Sequence, residues 1–191
     1  MSKESKTSHY ITFVGAINPA STMRLRAHCC ELINEKNAED ITIMMSSRGG
    51  SLLDGFALFN FLQALPVKLT MVNIGTVQSI ANIVFLAADT RLACEETYFM
   101  LHGFDRTYGQ VKVAHSKLLE DTAVLEREKA SFIGILKRRT RITDKELDEL
   151  KPFEKQILVN TTRAKKLGMI QKVQQLKIPQ GSKIWNVEYK V

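Results

Sequence analysis

The chain has 191 residues, 45% of them hydrophobic and 25% charged, which is the balance of one water-soluble domain with a core of its own. Its formal charge is +7, yet the basic residues are dispersed apart from one knot at Lys137, Arg138, Arg139 and Arg141. Such a knot reads either as a helical RNA-binding face or as a solvated helix end, and no nucleic-acid partner is expected.

The opening MSKESKTSHY is polar and lacks the apolar core of a signal peptide, and no apolar run reaches about 18 residues, so no membrane association is expected. A short strand is predicted at Tyr10 to Val14. Asn18-Pro19-Ala20-Ser21-Thr22 then supplies caps and an N1 proline for a helix to about Lys36. That helix carries Cys29 and Cys30, with Cys94 far away, a spacing that fits neither a disulfide framework nor a metal site. A reducing cytoplasmic location without metal or cofactor follows as the expectation.

Ile41 to Met45 is a compact apolar strand, and it runs into the turn Ser46-Ser47-Arg48-Gly49-Gly50-Ser51. Leu52, Leu53, Phe56, Phe59 and Leu62 recur at helical spacing up to Pro66. Val67 to Ile74 reads as a strand, Gly75 to Ser79 as a turn, Ser79 to Ala88 as a helix and Tyr98 to Leu101 as a strand. Residues 111 to 139 form one long charged helical pattern, and Thr143 with Glu146 has capping-box spacing for another helix. The tail from 174 to 191 is polar with a strand-like end at Ile184 to Val187. Strand and helix alternate three times in the first half, which predicts an α/β domain with a largely parallel sheet and a ligand site beyond the carboxyl ends of its strands.

Three features fall at those ends, and each has two readings. Gly49-Gly50 is either a strand-to-helix turn needing positive φ or a backbone N–H presented to an oxyanion. It lacks the spacing of a phosphate-binding loop. Ser79 is either the N-cap of the next helix or a nucleophile with the N–H of Ile80 beside it. His102 is either a structural histidine or a general base. A glycine turn, a serine and a histidine at neighbouring strand ends are together the parts of serine acyl transfer.

Over about residues 10 to 172 the chain resembles the proteolytic subunit of the Clp protease, ClpP. The resemblance is carried by "ITFVGAINPAS", by "ITIMMSSRGGSLLDGFALFNFLQ" where that family ends a strand in Ser-Pro-Gly-Gly, and by "GTVQSIANIVFLAAD" where it has Gly-Gln-Ala-Ala-Ser-Met-Gly. "RLACEETYFMLHGF" stands where it has Met-Ile-His-Gln-Pro, and "RAKKLGMIQKV" is similar to its closing Ala-x-x-Tyr-Gly-Leu-Val-Asp. The resemblance implies a ClpP/crotonase-type fold of repeated β-β-α units, with a head at about 10–103 and 140–191 and a long protruding handle helix within about 104–139. It implies Ser79 as nucleophile, His102 as general base and the N–H groups of Gly49 and Ile80 as oxyanion hole.

It further implies hydrolysis of peptides or unfolded proteins, and a homo-oligomeric ring, heptameric or doubled, that encloses the sites. The family's AAA+ unfoldase partner is less secure, because only about ten residues precede the first strand. Where the family has its triad aspartate this chain has Pro152, and where it has proline in the first glycine turn this chain has Arg48. Glu154, two residues on, is the candidate third member, with Asp148 or Glu149 in its place if the loop is shifted, or a Ser-His dyad held by a backbone carbonyl. A catalytically silent ClpP-like subunit and a crotonase-fold acyl-CoA enzyme are the competing readings. The second of these lacks an acidic residue in the turn around 75 to 80. Phe104 and Tyr108 read as aromatic packing near the cleft, and Gly109 as the lead into the handle.

Overall fold

A computed structural model describes residues 9–104 and 112–187. Gly109, Tyr108 and the expected helix start at 111 lie outside the described residues. The elements are β1 (His9–Val14), α1 (Pro19–Lys36), β2 (Asp40–Ser47), α2 (Leu52–Gln63), β3 (Lys68–Gln78), α3 (Ala81–Phe85), β4 (Thr90–Ala93), β5 (Tyr98–Leu101), α4 (His115–Arg139), α5 (Asp144–Leu150), β6 (Ile157–Asn160), α6 (Thr161–Lys166), β7 (Lys172–Val173) and β8 (Lys183–Val187). The strands form one eight-stranded sheet in the order β6-β5-β3-β2-β1-β8, with β4 and β7 branching from β3. Every pairing is parallel except β5 with β6, so the expected α/β class holds.

Local chemistry accounts for the clearest elements. Asn18 caps α1 reciprocally with Ser21 and is followed by proline, and Thr143 and Glu146 do the same for α5. Ile11, Ile41, Ile43, Met71, Val77 and Phe99 point from the strands into a core that Leu25, Leu32, Leu58 and the whole of α3 complete.

β3 differs from expectation in a way that positions the site. It does not stop at Ile74 but runs to Gln78, pairing β4 through Thr70–Asn73 and β5 through Thr76–Gln78. The change of partner coincides with a register shift against β2, where Met45 opposes Asn73 but Ser47 opposes Val77. Gly75 sits in that irregularity, where a Cβ would come within 2.7 Å of Ser46 Oγ. Its N–H donates to Asn73 Oδ1, and the N–H of Thr76 donates to Ser46 Oγ. The glycine therefore serves a bulge inside a strand rather than a turn.

The helix expected over 79–88 is only Ala81–Phe85, because the carbonyls beyond it are taken by arginines. Arg139 donates to the carbonyls of Leu86, Ala87 and Ala88. Arg91 on β4, buried, donates to Ala88, Met169, Gly168 and Arg139 at 2.7–3.1 Å. Arg141 reaches the carbonyl of Lys165. The ends of α3, α4 and α6 thus converge on guanidinium groups, which suit the negative end of a helix dipole and its unpaired carbonyls. Within the basic knot, Arg139 and Arg141 serve helix termini, and two ion pairs form, Lys137 with Asp144 and Arg139 with Asp89.

The long helix buries Phe132, Ile135 and Leu136, whereas Leu118, Leu119 and Val124 in its earlier turns are exposed. No helix among the described residues is long and apolar enough to cross a membrane. The strand-like end predicted at 184–187 is β8, which lies parallel to β1. There His9 is buried, packs edge-on at 5.4 Å against Trp185, and leaves Nδ1 without a partner among the described residues.

Two expectations follow. Arg91→Met takes the guanidinium away from the carbonyls of Met169, Gly168 and Arg139 and should cost about 3 kcal/mol, read as a lower urea midpoint at unchanged slope. Burial, then the charge of Lys183, pushes His9 below its ordinary 6.5. The unfolded chain therefore takes up the proton first, so this contribution is complete above about pH 6.5 and is lost as pH falls below it. The melting temperature should drop between about pH 7.5 and 5.5, and the drop should shrink in His9→Phe.

Candidate active site

Because β2, β3 and β5 are parallel, their carboxyl ends share one edge, the place where α/β sheets bind ligands. The glycine turn leaves β2 there, Ser79 follows β3, and His102 follows β5.

Ser79 does not cap α3. The N-cap residue is Ile80, and no side chain caps that helix. Ser79 instead adopts φ +53°, a left-handed conformation that costs a residue with a Cβ on the order of 1–2 kcal/mol. Two anchors hold it there. Its N–H donates to the Met100 carbonyl at 2.9 Å, and its carbonyl accepts from the backbone N–H of Asn82 at 3.1 Å and from Asn82 Nδ2 at 2.9 Å. The chain must therefore reverse within one residue between strand and helix.

Gly49 closes on the same serine. A Cβ at Gly49 would lie 2.8 Å from Ser79 Cβ and 3.4 Å from Oγ, and its φ of +96° also requires glycine. Gly50 is equally constrained, since a Cβ there would overlap the Ile17 carbonyl. The Gly49 N–H donates to Ser47 Oγ at 3.1 Å, so this expected oxyanion donor is already engaged by a buried hydroxyl of its own turn. The N–H of Ile80 makes no hydrogen bond among the described residues. Its side chain seats against Gly55 of α2, where a Cβ would come within 2.2 Å of Cγ1.

The half-buried His102 places Nδ1 2.6 Å from the Gly103 carbonyl. A carbonyl only accepts, so Nδ1 carries the proton and the lone pair is on Nε2. No hydrogen bond joins the ring to Ser79 among the described residues. Gly103 packs under the Phe153 carbonyl, where a Cβ would lie at 2.7 Å. Phe104, Phe132 and Phe153 meet edge-to-face at 5.2–5.6 Å, each pair worth about 1 kcal/mol, and they fasten the segment after His102 to α4 and to the 152–154 loop.

The position expected for a third member thus lies beside the histidine, but among the described residues no carboxylate hydrogen-bonds the ring. Pro152 is buried, and Glu154 pairs with Lys151 at 2.9 Å while both are exposed. Glu149 faces Lys145, and Asp148 lines a separate hollow with Lys129 and Ile133. A cleft of about 440 Å³ bounded by Met100, His102, Phe153, Glu154 and Gln156 opens at the imidazole. A strained serine, a free N–H beside it and an imidazole with an available lone pair are equipped for acyl transfer, and such contacts are commonly long before substrate binds.

Sequence reasoning missed Ser47, Gly55, Gly103 and Asn82. Gly55 inside a helical pattern and Asn82 inside an apolar run were the available signals, since both residues are unfavourable there without a packing or bonding reason.

A profile of the Clp protease family matches residues 3–177. The ATP-dependent Clp protease proteolytic subunit 2 of Borreliella burgdorferi is 25% identical over 143 residues, 72% of this chain and 68% of that protein. Among solved structures, a ClpP1 mutant from Listeria monocytogenes shares the fold with a TM-score of 0.73 at 18% identity, covering 88% of this chain and 92% of the other.

The left-handed serine gives a stability test that needs no substrate. Ser79→Gly should be more stable than Ser79→Ala by about 1 kcal/mol, because glycine adopts this φ freely whereas the Cβ of alanine is strained there. Equal melting temperatures for the two variants would remove the argument from strain.

Proposed function

The chain belongs to the Clp protease family, and from that premise we propose that it is a serine endopeptidase cleaving peptides or unfolded proteins through an acyl-enzyme at Ser79. The observation that carries this reading is Ser79 itself, held at φ +53° between Gly49 and the free N–H of Ile80. A helix cap has no use for that conformation. A nucleophile does, because it presents Oγ beside an oxyanion donor.

In this mechanism His102 Nε2 takes the Ser79 proton as Oγ bonds to the substrate carbonyl carbon. The oxyanion is met by Ile80 N–H and by Gly49 N–H once it exchanges Ser47 for substrate. The imidazolium then protonates the amine as the C–N bond breaks, and a water activated by the same ring releases the acyl group. The Gly103 carbonyl orients the ring as a carboxylate would, but being neutral it stabilises the imidazolium less, and turnover is correspondingly lower. The exposed Leu118, Leu119 and Val124 of α4, with Tyr98 and Leu158 on β5 and β6, support self-association into a ring that encloses the sites. An AAA+ unfoldase is the partner class that would feed such a chamber, and the reading places it in the cytoplasm.

One observation favours a second reading, a silent subunit with a structural or regulatory role: Pro152 stands at the acid position while Glu154 is paired with Lys151. Fluorophosphonate or β-lactone labelling separates the two. The expected result is a covalent adduct on Ser79 that is lost in Ser79→Ala and slowed on the order of a thousandfold or more in His102→Ala. Glu154→Gln should stay within about twofold of the parent, because the carboxylate is held in an exposed pair with Lys151 and makes no hydrogen bond to the imidazole among the described residues. No adduct at any pH favours the silent subunit.

A further inference from the structure

Asn82 has its side chain fully buried in the first turn of α3, amid apolar neighbours, although nothing in the helix requires an amide there. Its Nδ2 donates to two carbonyls, that of Ser79 at 2.9 Å and that of Met100 at 2.8 Å. Carbonyls only accept, so the orientation of the amide follows from its partners, and Oδ1 is left buried without a donor among the described residues. The two carbonyls belong to segments far apart in the chain. One closes the serine turn after β3, and the other sits two residues before His102 on β5. The Met100 carbonyl also receives the Ser79 N–H. A single side chain therefore completes a closed loop of bonds, Ser79 N–H to Met100 carbonyl, Met100 carbonyl to Asn82, Asn82 to Ser79 carbonyl.

The geometry points to Asn82 as a positioning residue that fixes the offset between the nucleophile turn and the strand bearing the general base. The inference rests on Ser79 acting as the nucleophile. Its logic is compensatory: with Pro152 at the acid position and Glu154 on Lys151, no carboxylate among the described residues ties His102 from behind. The relative placement of serine and imidazole then depends on the backbone of β5, and Asn82 is the side chain that joins that backbone to the serine. A buried amide with an orphaned oxygen is an unfavourable choice for packing alone, where alanine or leucine would fill the same space.

The test uses the full chain and compares Asn82→Ala and Asn82→Ser with the parent. Each is assayed for fluorophosphonate modification of Ser79 across pH and for peptide cleavage, with circular dichroism and melting temperature as controls. The parent's rate across pH is the reference profile. In a folded variant the rate should fall roughly ten- to a hundredfold and lose much of that pH dependence, with kcat reduced and KM little changed, because misplacement by an ångström weakens proton transfer rather than binding. If alanine prevents folding, the serine variant, which can still reach one carbonyl, carries the comparison and should fall between. A folded variant labelled at the parent's rate with the parent's pH profile overturns the inference while leaving the nucleophile reading intact. A parent that is never labelled at Ser79 removes both.

Discussion

The hydrogen bond from the Ser79 N–H to the Met100 carbonyl is the last rung between β3 and β5, and the arrangement of the site hangs on it. For that rung to exist, β3 must extend beyond its pairing with β4 and take a second partner. The irregularity around Gly75 makes this feasible by letting β3 advance two residues relative to β2. Ser46 and Asn73 fill the irregularity and satisfy its backbone, which matters because unpaired groups this deep in a sheet would each cost on the order of 1–3 kcal/mol. Sheet topology alone would have brought the three strand ends to one edge. The bulge and the terminal rung bring them to the same point on it.

Electrostatics on the far side of the molecule has a comparable economy. A charge of +7 invites a search for an anionic partner, yet Arg91, Arg139 and Arg141 are committed to carbonyl oxygens at the ends of three helices. Burial, and then the proximity of Arg139, pulls Arg91 down to about 10, which still leaves it charged near neutrality. The guanidinium works here as a polydentate donor to the carbonyls beyond the helix ends, a role that lysine with its single nitrogen could not fill.

Much of this was legible in the sequence where local chemistry decides structure. Asn18-Pro19 and Thr143 with Glu146 announce helix starts, and the apolar run at 41–45 announces a central strand. The placement of Ser79, His102 and Gly49 on one edge follows from counting strand ends. What escaped depends on contacts distant in sequence. β4 was invisible because a buried arginine interrupts its four residues, and nothing local says that its partners are carbonyls nearly fifty and eighty residues away. Gly75 looks the same in a turn and in a bulge. What faces the imidazole could not be read from the sequence, since it is the backbone carbonyl of Gly103, while Glu154 is taken by the lysine three residues before it.

The pairing of β1 with β8 has a consequence for the order of assembly. Residues 9–13 lie beside residues 183–187, so the bond from Thr12 to Asn186 spans 174 positions of chain. On a ribosome β1 can pair β2 as soon as α1 has formed, but its other edge stays open through the synthesis of nearly everything that follows. Non-local pairings of this kind are slow to form, and an open strand edge is where nascent chains join one another. A nascent chain that has already brought Ser79 and His102 to their strand ends is therefore still adhesive along the open side of β1 until β8 covers it.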